Sequence, residues 1–182
     1  MLKKKKKRYG PIMMMLLIMA VFLLAFWQQH QKQEEELSKV PLPTELHKTV
    51  AKKRDQLISQ AADQGIQVVI VEGFRSVEEQ DALYNKGRTE EGAVVTHAKG
   101  GQSYHNYGLA IDFALLNKTG TTIWDMEYDG NGNGKSDWME VVEIAKSLGF
   151  EWGGDWANFK DYPHLQMDFG LSIADLQKGK RP

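Results

Sequence analysis

The sequence contains no cysteine. Disulfides, a thiolate zinc site, a cysteine nucleophile and a lipid anchor on cysteine are therefore all excluded. Strong basic charge is missing as well. The formal charge of −1 becomes −7 once the six positive residues Lys3 to Arg8 are set aside, which leaves no electrostatic footprint for nucleic acid. Internal repeats are absent. Long apolar stretches are confined to one run, Ile12 to Trp27, whose length falls between a signal-peptide core and a full span of roughly 20 residues.

The two ends of that run decide how it is read. Residues 1–11 form a basic flank that belongs on the cytoplasmic side of a membrane. Ala25-Phe26-Trp27 offers a poor cleavage site because a bulky Trp stands where a signal peptidase takes a small side chain, whereas an interfacial Trp suits a helix that stays in the bilayer. Residues 12–27 are thus read as an uncleaved anchor in preference to a signal segment. This predicts a single-pass cell-membrane protein with its remaining chain outside the cytoplasm, or a secreted one if the segment is cleaved. Residues 28–40, rich in Gln, Glu and Lys, read as a polar stalk, and Pro41 and Pro43 stop any helix running out of it. About 140 residues remain, enough for one compact core. They divide into a domain over residues 41–169 and a tail over residues 170–182.

Within the domain, Leu46 to Gln64 reads as a helix. Val68 to Val71 is a short β-branched strand, and Ser76 with Glu78, Glu79 and Gln80 opens a second helix running towards Lys86. Thr89 to Gly101 has no pattern and reads as a loop. Leu109 to Leu115 alternates as a strand and turns at Asn117 to Gly120 into Thr121 to Trp124. Ile123 to Tyr128 also reads as strand, Trp138 to Leu148 as a helix closed by Gly149, and Pro163 to Phe169 as a last strand with His164, Gln166 and Asp168 on one face. The expected class is α+β: a small antiparallel sheet flanked by helices, in a single monomeric domain behind the anchor.

The chemistry gathers on two of these strands. His105 and Asp112 are joined by the turn at Gly108, and the alternation that buries Leu109, Ile111 and Phe113 puts Ala110 and Asp112 on the opposite face. With His164 they make two imidazoles and one carboxylate, leaving a fourth position for water, as in a catalytic rather than a structural zinc site. Taken singly, a histidine at a strand start is more often a structural residue. The spaced set, with Asp161 three residues before His164 and Pro163 stiffening the corner between them, favours chemistry. A carboxylate there can take the proton of an attacking water and hand it to a leaving amine. Arg75, presented by the end of the first strand, can stabilise the oxyanion that forms. The bland alternatives are a surface Asp in a turn and a surface ion-pair Arg. Trp152-Gly-Gly-Asp155-Trp156 suits either a groove wall or the core, with the core preferred, and His97 suits either a substrate contact or an ordinary exposed histidine, with the latter preferred.

Together, Gly73-Phe74-Arg75-Ser76, the Ser103/His105/Gly108/Ala110/Asp112 pattern and the Asp161/His164 pair resemble the zinc D,D-peptidase family that includes VanX and VanY. The chain is more closely similar to that family's L-alanyl-D-glutamate peptidases, found in Bacillus-type cell-wall hydrolases and phage endolysins, and the likeness runs from Leu42 to Phe169. The resemblance implies zinc on His105, Asp112 and His164, Asp161 as general base and acid, Arg75 as oxyanion stabiliser, and Ser103 lining the site to help hold substrate. VanX and VanY carry Glu at the base position. Asp161 matches the L-alanyl-D-glutamate enzymes instead, and tilts the expected activity on peptidoglycan stem peptides from D-alanyl-D-alanine carboxypeptidase to endopeptidase. A non-catalytic wall-binding module is the remote third reading.

A second cation signal lies in Asp129-Gly-Asn131-Gly-Asn133-Gly134-Lys135-Ser-Asp137-Trp-Met-Glu140. Carboxylates or amides at positions one, three, five, nine and twelve, with Gly at six, match a calcium loop. Its ligands would be Asp129, Asn131, Asn133, the Lys135 carbonyl, Asp137 and Glu140. A metal-free Asn/Gly-rich turn is the alternative.

Overall fold

The computed structural model describes residues 10–182, so the basic run Lys3 to Arg8 lies outside the described residues. The chain divides into two units, Met1–Val40 and Pro41–Pro182. Among the described residues the first holds one helix, α1 (Gly10–Ser38). Apolar run and polar segment are thus continuous: Gln, Glu and Lys are good helix formers, and neither Gly nor Pro interrupts residues 28–38. Side chains from Met13 to Trp27 are exposed, and the helix is long and apolar enough, by length and composition, to cross a membrane.

The second unit opens with α2 (Lys48–Asp63). Leu46 and His47 stay outside the helix because the His47 amide donates to the Gly108 carbonyl instead. Val50, Leu57 and Ala61 form its buried stripe. Next come β1 (Gln67–Glu72) and α3 (Val77–Asn85), the latter started by a capping box between Ser76 and Glu79. Residues 86–103 carry no helix or strand of their own beyond an isolated bridge. A 3₁₀ turn (Tyr104–Tyr107) then delivers the chain to β2 (Ala110–Leu116). The remaining elements are β3 (Thr122–Ile123), α4 (Asp137–Ser147), β4 (Glu151–Trp152), β5 (His164–Gln166) and α5 (Ile173–Gln177).

The strands form an antiparallel sheet in the order β1-β2-β5-β4, with β3 added to the end of β2. The chain is therefore α+β. Strand β2 is central, and its two faces are chemically unlike. Leu109, Ile111, Phe113 and Leu115 are buried in the core, where the Phe113 ring lies 4.5 Å from that of Trp138 on α4. Ala110 and Asp112 point the other way. Register then sets the site: Asp112 pairs with His164 on β5 and with Glu72 on β1.

Three segments differ from the sequence reading. Only Thr122 and Ile123 of the stretch expected as strand to Tyr128 pair with β2; beyond them Asp125 Oδ1 accepts the Glu127 amide and turns the chain. The last strand is three residues rather than seven. Phe169 adopts a positive φ of 53° and Asp168 Oδ1 accepts the Gly170 amide, so the chain turns and Asp168 does not continue the face of His164 and Gln166. The tail packs on the domain: α5 buries Leu176, and the Arg181 guanidinium sits 5.2 Å from the Tyr107 ring centroid.

Candidate metal centre

His105 is held by backbone before it is held by anything else. In the 3₁₀ turn the Ser103 hydroxyl accepts the His105 amide, while Asn106 Oδ1 accepts the Ser103 amide. The turn ends at Gly108, whose φ of 66° and whose close approach, with space for a Cβ only 2.3 Å from the Glu45 carbonyl oxygen, admit no side chain. The His105 ring is fixed by Nδ1, which donates to the Gly73 carbonyl at 2.7 Å. This leaves Nε2 as the free lone pair.

His164 is oriented in the opposite sense. Its Nε2 donates to Gln166 Oε1 at 3.0 Å, and Gln166 Nε2 donates onward to Glu151 at 3.0 Å. Nδ1 is thereby left facing inward, 3.2 Å from His105 Nε2 and 3.2 Å from Asp112 Oδ1, which is itself 3.2 Å from His105 Nε2. A regular tetrahedron with metal–ligand bonds of about 2.0–2.1 Å has edges of about 3.3 Å. Two imidazole nitrogens, each with the other ring nitrogen hydrogen-bonded to the protein, and one carboxylate oxygen at this spacing fit zinc with one position open. Among the described residues, the ligand atoms of His105, Asp112 and His164 all lie within 4.8 Å of one another, close enough to share an ion. Burial works against the charge on Asp112, but the imidazoles of His105 and His164 beside it outweigh it and hold the carboxyl well below the usual carboxylate range.

Arg75 reaches the same place from the end of β1. Its side chain is 13% exposed and accounted for on three sides: Nη2 and Nε donate to Glu72, Nη1 donates to the buried Gln80, and Nη2 lies 3.9 Å from Asp112 Oδ2. Its backbone is fixed by the His105 carbonyl and the Asn106 amide, so the guanidinium and the first histidine move together. Asp161 is positioned by Gly153, where a Cβ would stand 2.4 Å from the Asp161 carbonyl oxygen. No hydrogen bond among the described residues ties its carboxylate. Burial, with the charge of Asp112, pushes the Asp161 carboxyl above its ordinary value despite the opposing His164, His105 and Arg75.

His105, Asp112, His164, Arg75 and Asp161 border one cleft of about 760 Å³, together with Ser103 and Gln166. The two tryptophans divide: Trp152 is core, with Nε1 donating to the Tyr162 carbonyl, while Trp156 lines the cleft with its ring 5.1 Å from His164. His97 is exposed as expected, but it also borders the cleft, edge-on to Phe159 with ring centroids 6.2 Å apart. Gln166 and Glu151 were not picked out from the sequence as site residues. The only signal available was that Gln166 shares a strand face with His164.

In the loop 129–140, Asp129 accepts the amides of Gly132, Asn133 and Gly134, and Glu140 accepts the side-chain amides of Asn131 and Asn133. Its carboxylates do not draw together as closely as the zinc set.

A family model described as D-alanyl-D-alanine carboxypeptidase, of the M15 peptidases, matches residues 96–167. Over 131 residues the chain is 67% identical to the peptidoglycan L-alanyl-D-glutamate endopeptidase CwlK of Bacillus subtilis (strain 168), spanning 72% of this chain and 78% of that protein. It is 37% identical over 133 residues to the L-alanyl-D-glutamate peptidase of Listeria phage A118, spanning 72% of this chain and 41% of the phage protein. Among solved structures, the vancomycin-resistance D,D-dipeptidase VanXYg, in complex with a D-Ala-D-Ala phosphinate analogue, has a TM-score of 0.50 at 24% identity, covering 73% of this chain and 59% of that one. This last likeness is one of fold.

Proposed function

Because the chain belongs to the M15 family of zinc peptidases, we propose that it hydrolyses the L-alanyl-D-glutamate bond of peptidoglycan stem peptides, using the site built on His105, Asp112 and His164. The observation that carries this reading is the convergence of His105 Nε2, Asp112 Oδ1 and His164 Nδ1 at 3.2 Å, in the cleft that Asp161 and Arg75 also border. The choice of bond rests on the 67% identity to an L-alanyl-D-glutamate endopeptidase.

When bound, zinc supplies a Lewis acid that makes water nucleophilic near neutral pH and polarises the scissile carbonyl. The residues around it do the rest. Asp161 takes a proton from water as the oxygen attacks the alanyl carbonyl carbon. It returns that proton to the glutamate nitrogen as the C–N bond breaks, so the products are a free carboxylate and a free amine. The raised carboxyl of Asp161 suits the first half of that transfer, since a stronger base is the better acceptor. Arg75, held rigid by Glu72 and Gln80, offers its guanidinium to the carbonyl oxygen as negative charge develops there. Ser103, whose hydroxyl caps the His105 turn, and Trp156 border the groove that receives the peptide.

Helix α1 serves as a membrane anchor, with the catalytic unit outside the cytoplasm and its action directed at the inner face of the wall. Its continuous run through Trp27 into a polar helical segment supports retention over cleavage.

The test is digestion of muropeptides of defined sequence by the zinc-loaded protein, with the new termini identified by mass spectrometry. A free amino-terminal D-glutamate is expected. Release of D-alanine alone would move the assignment to carboxypeptidase, and no product from protein with zinc bound would leave a wall-binding module.

A further inference from the structure

Away from the cleft, Asp137 presents an unusual combination. It is 3% exposed, Oδ2 accepts the Gly130 amide at 3.0 Å, and Oδ1 has no hydrogen-bond partner. A buried carboxylate oxygen without a partner is costly unless a water, a proton or a cation completes it. Protein does not supply one: among the described residues no lysine, arginine or histidine pairs with Asp137, Asp129 or Glu140. Burial, with the charges of Glu140 and Asp129 nearby, pushes the Asp137 carboxyl up despite the opposing backbone amides of Gly130 and Asn131. Glu140 is only 9% exposed, and both its oxygens are occupied by the NH₂ groups of Asn131 and Asn133. Rotating those amides would exchange two donors for two oxygens facing the same carboxylate.

We propose that Asp129, Asn131, Asn133, the Lys135 carbonyl, Asp137 and Glu140 bind one calcium ion, and that this ion braces α4 against the sheet. Three carboxylates, two amide oxygens and a carbonyl form an all-oxygen set suited to a hard cation of flexible geometry. The spacing places Gly134, at φ 82°, where such a loop turns sharply. The site is independent of the peptidase assignment, because no residue of it borders the cleft. Its mechanical reach is nonetheless direct. The loop runs into α4, where Trp138 lies against Phe113, next to Asp112 on β2. Filling the loop would order the start of α4 and the strand that carries a zinc ligand.

The test uses the full chain in detergent, loaded with zinc and freed of calcium, with both metals checked by elemental analysis. Calcium is titrated by calorimetry, and thermal unfolding is followed with and without it. Saturable binding of one ion is expected, with a dissociation constant on the order of 10⁻⁴–10⁻³ M for a loop of modest charge. At a 100-fold excess the melting temperature should rise by about 5 °C or more. Glu140→Gln should weaken calcium at least about 10-fold. Asp129→Asn, at an exposed position that perturbs folding least, should do the same. No binding heat and no shift up to about 10 mM calcium would overturn the proposal. So would an equal shift with magnesium, or a calcium response undiminished in both variants.

Discussion

Replacing Gln166 with leucine isolates what holds the second histidine. The side chain is 6% exposed and bridges His164 Nε2 to Glu151, with a 3.0 Å hydrogen bond on each side. Leucine preserves most of the volume and removes both bonds. The His164 Nε2–H is then left in a buried site without an acceptor, a loss of about 1–3 kcal/mol. The imidazole can avoid that loss by changing tautomer or rotating, but either move takes the Nδ1 lone pair away from Asp112 and His105. The penalty therefore falls on metal binding, and about 1.4 kcal/mol per decade converts it to a zinc affinity roughly 10–100-fold weaker, the range typical for outer partners of metal-bound histidines. Competition with a chromophoric chelator measures this without reference to activity. At saturating zinc the variant should recover most of its turnover, because neither Asp161 nor Arg75 has been touched. An unchanged zinc affinity would refute the argument, as would turnover that stays low with the site filled.

Asp161→Asn should abolish hydrolysis while zinc content stays full, and activity surviving within about tenfold of the parent would remove Asp161 as the base. Gly108→Ala should lower stability by at least about 2 kcal/mol, since it combines a left-handed backbone with a contact against Glu45. Gly170→Ala, at a similar φ of 75° but with open space around it, should cost less in the same melting experiment. Zinc affinity should fall as the solution is acidified. Burial lowers the His164 pKa, but hydrogen bonding to and the charge of Asp112 raise it further, for a net position above the ordinary 6.5. In the metal-free protein a proton therefore holds the ligand nitrogen to a higher pH than usual, and competition begins above about 6.5 and strengthens below it. A flat affinity between pH 8 and 5 would contradict this.

The parts of the molecule legible in the sequence are those set by local rules. The Ser76–Glu79 capping box, the alternation of β2 and the cross-family spacing of Ser103, His105, Gly108 and Asp112 all lie within short windows, and the structure places His105, Asp112 and His164 together. What was illegible depends on the third dimension. Gln166 meets Glu151 only because β4 pairs with β5, and the Gly73 carbonyl that fixes His105 lies 32 residues before it in the chain. Trp152 and Trp156 stand four residues apart with the same chemistry, yet an intervening turn sends one to the core and the other to the cleft. Strand β5 was overextended because alternation persists in the sequence through Phe169, while a positive-φ residue turns the backbone. α5 leaves no mark in the sequence because a five-residue helix carries too little periodicity to register.

The ladder through Asp112 has a dynamic corollary. With Glu72 paired on one side and His164 on the other, and Phe113 buried behind it, this stretch of β2 belongs to the last part of the domain to open. Its amides should exchange with solvent only when the whole domain unfolds. The opposite walls of the cleft, around Val95, His97 and Phe159, are exposed and lie outside helix and strand, so they sit at the low end of the same protection scale. Catalytic floor and peptide-facing rim should thus separate on that scale, the ligand strand exchanging last and the rim first.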